Sequence, residues 1–184
     1  PIAYFTCETF GIQMTTASES GSIIACIPIA SLVASILFLQ KKPTRFQTSG
    51  ICLTVVGVIV CVTAKGFESS FSGIGYIMLC MAVLSYSLYC VSAEKADKTT
   101  SIEKTYVMIA CGACFFATMA IARSIAADTV VDLFMLPFQN TVFLFSILYL
   151  GIASSVLSFV LFNISISSIG TNKASSFVGI STAV

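Results

Sequence analysis

The sequence predicts an all-α fold, a polytopic transmembrane helical bundle, and three observations carry that reading. Of the 184 residues, 57% are hydrophobic and only 9% are charged, with a mean hydropathy of +1.00. A water-soluble domain of this size could not assemble a polar surface from so few charges. The charges also sit in short gaps between nearly uncharged runs, at Gly21 to Leu39, Lys65 to Glu94, Tyr106 to Ala122 and Thr141 to Ser168. Such runs approach the ~20 residues that a helix rising ~1.5 Å per residue needs to cross ~30 Å of hydrocarbon.

Taken in order, the pattern predicts a first helix over 1–14, complete spans over 19–39, 46–65, 73–93, 104–126 and 142–167, and a last helix from 172. Thr44 with Gln47, and Thr100 with Glu103, have the spacing of a capping box, in which the two side chains satisfy backbone N–H groups at a helix start. Pro43 and Gly66 stand where helices should break. Pro28 lies inside the second run, where a missing N–H should kink the helix. Asp128 to Phe138 mixes acids with Val130, Val131, Leu133, Phe134 and Leu136. That pattern reads as a short helix lying at the membrane interface, with an ordinary loop as the alternative. The first and last apolar stretches, about 14 and 12 residues, would each cover only about 20 Å, so the chain is expected to be cut from a longer protein.

Charge placement predicts orientation. Lys41, Lys42, Arg45, Lys95, Lys98, Lys104 and Lys173 fall on one side of the predicted spans, whereas Lys65 and Arg123 fall on the other. By the positive-inside rule the seven-residue side is cytoplasmic. The net charge of +1, with no Lys/Arg face interleaved with aromatics, excludes a nucleic-acid partner. The eight cysteines lie within apolar runs and read as small packing residues; Cys111-x-x-Cys114 has no second pair and no histidine to make a metal site. Gly50, Thr54, Gly57, Cys61 and Ala64 line one face of the 46–65 span, which should touch another helix closely.

The run Thr15-Thr16-Ala17-Ser18-Glu19-Ser20-Gly21, then Ile27-Pro28, then Leu39-Gln40-Lys41-Lys42-Pro43-Thr44, resembles the EamA-like branch of the drug/metabolite transporter superfamily. The likeness continues through Gly50 and Gly57, Gly73-Ile74-Gly75-Tyr76, Ser85-Tyr86-Ser87-Leu88-Tyr89, Tyr149-Leu150-Gly151-Ile152-Ala153-Ser154 and Ile169-Gly170-Thr171-Asn172-Lys173-Ala174-Ser175-Ser176. One departure is Leu39-Gln40, where the family often has Gly-Glu. The resemblance implies a ten-helix carrier built from two inverted five-helix repeats, of which this chain would cover about helices three to nine, truncated at both ends. Residues 1–93 would then hold the rest of the first repeat and the first helix of the second. Residues 94–184 would hold most of the second, and the repeat boundary falls near 66–72. A shift of 155 positions places Thr16 on Thr171, Ser20 on Ser175 and Glu8 on Asn163.

Within this frame Glu8 is the sole acid in an apolar span. An acid at that depth costs at least ~2.5 kcal/mol on insertion scales and usually faces a polar cavity or a partner. Tyr4, Gly11 and Thr15 share its helix face. Glu8 is expected to bind a proton or a cationic group, with Tyr4, Thr15, Tyr86, Tyr89 and Asn163 as further substrate- or proton-binding residues. The Ser85 face and the Ser154-Ser155-Ser158 face are weaker candidates, since serines in such helices bond back to their own backbone. The implied function is secondary transport, by export, of a small organic metabolite across the plasma membrane, by alternating access between the repeats. No G-x-x-x-x-G-K loop is present to bind ATP. With no histidine, no G-x-S-x-G elbow and no paired intramembrane carboxylates, the chain does not read as an enzyme. A membrane-embedded enzyme and a non-transporting scaffold are the alternatives. No cofactor or metal is implied; the expected partners are a small-molecule substrate, the lipid bilayer and a second copy of the chain.

Overall fold

The computed structural model describes residues 2–41, 44–64, 72–96 and 98–181. Its elements are all helical: α1 (Ile2–Gln13), α2 (Ala17–Ile24), α3 (Ile27–Leu39), α4 (Arg45–Ala64), α5 (Gly73–Lys95), α6 (Ser101–Ala126), α7 (Val130–Gln139), α8 (Thr141–Leu148), a π-helical segment (Tyr149–Leu157), α9 (Ser158–Ile169) and α10 (Thr171–Ser181). Four stretches, Ala17–Leu39, Gly73–Lys95, Ser101–Ala126 and Thr141–Ile169, are long and apolar enough to cross a membrane. Large side chains such as Leu37, Ile77, Tyr106 and Phe145 stand exposed along them. In water they would be an aggregation surface; in a bilayer they are the lipid-facing side. The protein is a multi-pass helical membrane protein.

Local chemistry sets the helix limits. Both expected capping boxes form: Thr44 and Gln47 exchange backbone-to-side-chain bonds of 2.9 and 3.3 Å, and Thr100 and Glu103 bonds of 2.7 and 3.3 Å. A third box, Thr16 with Glu19, starts α2. Three residues at positive φ, Gln40, Asp128 and Gly170, end α3, α6 and α9. At Asp128 the N–H groups of Thr129 and Asp128 bond back to Ser124 and Ile125, satisfying carbonyls that the helix end leaves open. The segment expected at the interface is helical over Val130–Gln139. Near Pro28 the helix is interrupted just before the proline. The run divides at Ala25–Cys26, with Pro28 in the first turn of α3, where its lacking N–H costs least. Pro43, Gly66 and the expected repeat boundary near 66–72 lie, wholly or largely, outside the described residues.

Two compact units form, one from residues 1–98 and 165–184, the other from 99–164. In the first, α5 is the central helix. Leu79, Ala82, Val83, Tyr86, Ser87 and Cys90 recur at steps of three and four, and all are buried. Helices α1, α2, α3 and α10 pack around that stripe. Gly11 and Gly75 let α1 approach α5: a Cβ at Gly11 would lie 2.6 Å from Leu79 Cγ, and one at Gly75 would lie 2.8 Å from Thr15 Cγ2. In the second unit, Asn163 Nδ2 donates to Thr105 Oγ1 at 2.9 Å and Ser101 Oγ donates to the Asn163 carbonyl at 3.2 Å, so α9 is pinned to α6. The π segment widens the helix by one residue per turn, and its serines follow: Ser155 and Ser158 donate to the carbonyls of Leu150 and Ala153, five residues back.

One expectation is corrected. Gly50 and Gly57 are exposed, and a Cβ on either would meet nothing within 4 Å, so this face of α4 is open rather than pressed against a neighbour. Small residues permit close approach but supply no partner. The side chains of Cys61 and Ala64 lie outside the described residues. Of the cysteines, Cys90 packs in the core as expected, while Cys52, Cys80, Cys111 and Cys114 are exposed free thiols on the apolar exterior.

The shift of 155 also relates helix limits. It carries α1 to 157–168, against Ser158–Ile169 for α9, and carries the start of α2 from 17 to 172, against Thr171 for α10.

Candidate functional site

The α1–α5 contact builds the site. Tyr4 and Glu8 are four residues apart on α1 and so share a face; the Tyr4 hydroxyl donates to Glu8 Oε1 at 2.6 Å. The Tyr4 ring tilts against Tyr86 of α5 at a centroid distance of 5.0 Å, and Tyr86 meets Tyr89 at 6.2 Å. Tyr86 is 9% exposed, and Glu8 is half-buried. Glu8 stands five residues before the end of α1 at Gln13, about 7.5 Å along the helix by its rise. The result is one carboxylate on an apolar helix, held by a phenol whose ring packs against Tyr86. Such a group can hold a proton, or a cation seated against the rings.

Four of the six residues singled out in the sequence, Tyr4, Glu8, Tyr86 and Tyr89, therefore come together. Thr15 does not join them. Its hydroxyl bonds back to the Gly11 carbonyl at 2.8 Å, and its methyl packs at Gly75. Asn163 belongs to the second unit, where it is 1% exposed with its amide bonded to Thr105.

Sequence reasoning missed the two carboxylates that tie the ends of the first unit. Glu19 accepts from Thr16 N at 2.8 Å and from the Tyr76 hydroxyl at 2.6 Å, joining the start of α2 to the start of α5. Glu94 forms an ion pair with Lys41 and accepts the Thr171 N–H at 2.8 Å, joining the ends of α3 and α5 to the start of α10. A signal for Glu94 existed: it continues the Tyr86, Cys90 register at steps of four on the buried side of α5.

Residues 1–63, which hold Tyr4, Glu8, Thr15 and Pro28, match the EamA-like transporter family. Over its full length the chain is 34% identical to the "Uncharacterized transporter YcxC" of Bacillus subtilis (strain 168), of which it covers 59%. Those first 63 residues are EamA-like. A segment of 101 residues, 53% of the chain, is 28% identical to "Protein PagO" of Salmonella typhimurium and covers 33% of that protein. The chain thus spans less than two thirds of either relative's length. No solved structure matches it.

Proposed function

We propose that the protein is a secondary transporter that exports a small organic solute across the plasma membrane, with the Glu8 cluster as its binding element. The observation that carries this reading is the Tyr4–Glu8 hydrogen bond on an apolar helix, with the Tyr4 ring against Tyr86, within the segment that matches the EamA-like family. A carboxylate is retained in an apolar helix against its insertion cost when it has work to do there. Among the described residues Glu8 has a tyrosine partner and no lysine or arginine ion pair, which suits an organic ammonium group, or a proton exchanged against one. Movement of solute past this point requires the helices around it to open alternately to the two sides, as inverted-repeat carriers do. This reading also sets aside an enzyme, since the cluster holds a carboxylate and phenols but no activated nucleophile beside a base.

The test is Glu8→Gln in proteoliposomes, measuring proton-driven accumulation and substrate exchange side by side across a panel of amines and neutral metabolites. Loss of accumulation with exchange preserved assigns Glu8 to proton coupling. Loss of both, selectively for cationic solutes, assigns it to the substrate. Normal behaviour in both assays removes Glu8 from the mechanism and takes the proposed site with it.

A further inference from the structure

The helix starts related by the shift of 155 are capped in opposite ways. At α2 the backbone cap is local, although its Glu19 also accepts from the Tyr76 hydroxyl of α5: Thr16 Oγ1 accepts from Glu19 N, and Glu19 Oε2 accepts from Thr16 N at 2.8 Å. Under the same shift Glu19 falls on Ala174, which is 2% exposed and has no polar group. The first turn of α10 carries no acid of its own. Its leading N–H, from Thr171, is donated instead to Glu94 Oε2, which arrives from the end of α5, 77 residues earlier in the chain.

The surroundings fit that borrowed carboxylate. The other oxygen of Glu94 pairs with Lys41 from the end of α3. Thr171 Oγ1 donates to the Cys90 carbonyl one turn before Glu94, at 2.9 Å. Gly170 turns the chain at φ 82°, and a Cβ there would stand 3.2 Å from Glu94 Oε1. A cavity of about 250 Å³ opens at this end, lined among others by Lys41, Thr44, Gln47, Glu94 and Lys173. The helix start needs an acceptor and favours negative charge, so whatever holds the acceptor also holds the helix. At α2 the acceptor of the backbone N–H belongs to the helix itself and stays with it if Tyr76 lets go. A cap from another helix locks the two together.

Deeper in the same contact, Ser35 of α3 and Ser175 of α10 are fully buried, and neither hydroxyl has a hydrogen-bond partner among the described residues. Parting α3 from α10 would let water reach both groups, which favours opening. Something must oppose it. We propose that Glu94 is the gating residue on the Lys41/Lys173 side of the membrane: by capping α10 in trans it keeps α3, α5 and α10 closed, and it must release Thr171 before the protein opens to that side. This inference rests on the transporter reading above. The parts of the clasp are unequal. Lys41 is 53% exposed and Glu94 11%, so the ion pair is screened and weak, and the bond to the helix start dominates.

The experiment places Ser175→Cys in an otherwise cysteine-free protein in inside-out vesicles and follows labelling by a membrane-impermeant maleimide. Glu94→Gln should accelerate labelling about tenfold, the effect of weakening one charge-assisted bond, and Lys41→Gln by only about two- to threefold. Cysteine at Ser22, buried near the opposite end, should label no faster from its own side; equal acceleration there would mean general loosening and would overturn the gate. Should Glu94→Gln fail to reach the membrane, Lys41→Gln and Gly170→Ala carry the test, and wild-type labelling in both sinks the proposal. Solute counterflow in the same vesicles separates the two claims. Transport with Glu94-independent labelling refutes the gate alone, whereas Glu94-dependent labelling without transport refutes the carrier alone.

Discussion

Replacing Gly75 with alanine tests the packing that positions the Glu8 cluster. In an open stretch of helix, alanine is better than glycine by up to about 1 kcal/mol, so Gly→Ala on a free face should be neutral or stabilising. Gly75 is not on a free face. The added methyl would lie 2.8 Å from Thr15 Cγ2, 3.0 Å from Met14 Cβ and 3.3 Å from the Met14 carbonyl oxygen. A Cβ and a backbone oxygen have no rotamer to escape into, and the Thr15 side chain is fixed by its own bond to Gly11. Only a shift of α1 against α5 relieves the contact, an overpacking of about 2 kcal/mol. For a chain of this length that corresponds to a melting point lower by about 4–8 °C. The assay is thermal unfolding in detergent, with Gly50→Ala as the internal control because a Cβ there meets nothing within 4 Å. Gly75→Ala melting at or above the Gly50→Ala protein would refute the close α1–α5 crossing. Because that crossing aligns Tyr4 with Tyr86, it would also remove the geometric case for the cluster.

Two further outcomes are expected. A double-mutant cycle on Asn163→Leu and Thr105→Val should give a coupling of about 0.5–1.5 kcal/mol, the range for hydrogen bonds between membrane helices; no coupling would show that the α6–α9 pin contributes nothing. Cysteines replacing Gln13 and Lys98 in a cysteine-free protein should label from opposite faces, Lys98→Cys from the cytoplasm, and labelling of both from one face would break the orientation read from the charges.

The helices were legible because a bilayer asks for little more than length and apolarity, and each run supplies both. Boundaries marked by chemistry were legible too, as at Thr44/Gln47 and Thr100/Glu103. Three features were not. The break at Ala25–Cys26 and the π segment at Tyr149–Leu157 lie in sequence that is uniformly apolar or small, where one helical register costs nearly the same as another and packing decides. The open face of α4 shows the converse. Gly50 and Gly57 carry the spacing of a close contact, but spacing describes one surface and a contact needs two.

The site divides along the same line. Glu8 could be found alone because its cost in lipid is a property of one residue, and Tyr4 followed because four residues along a helix is a fixed neighbour. Tyr86 lies 82 positions from Tyr4, and its place at the cluster depends on the α1–α5 crossing, which Gly11 and Gly75 permit without announcing. Glu94 is the clearest case. At the end of an apolar run beside Lys95 it reads as one more interfacial charge, and only the tertiary structure shows it serving a helix that begins at Thr171. What points to it is an absence elsewhere: α10 repeats the Thr-led start of α2 but has Ala174 where α2 has Glu19. A helix start deprived of its local acceptor must find another, so the missing acid at 174 is evidence for the working acid at 94.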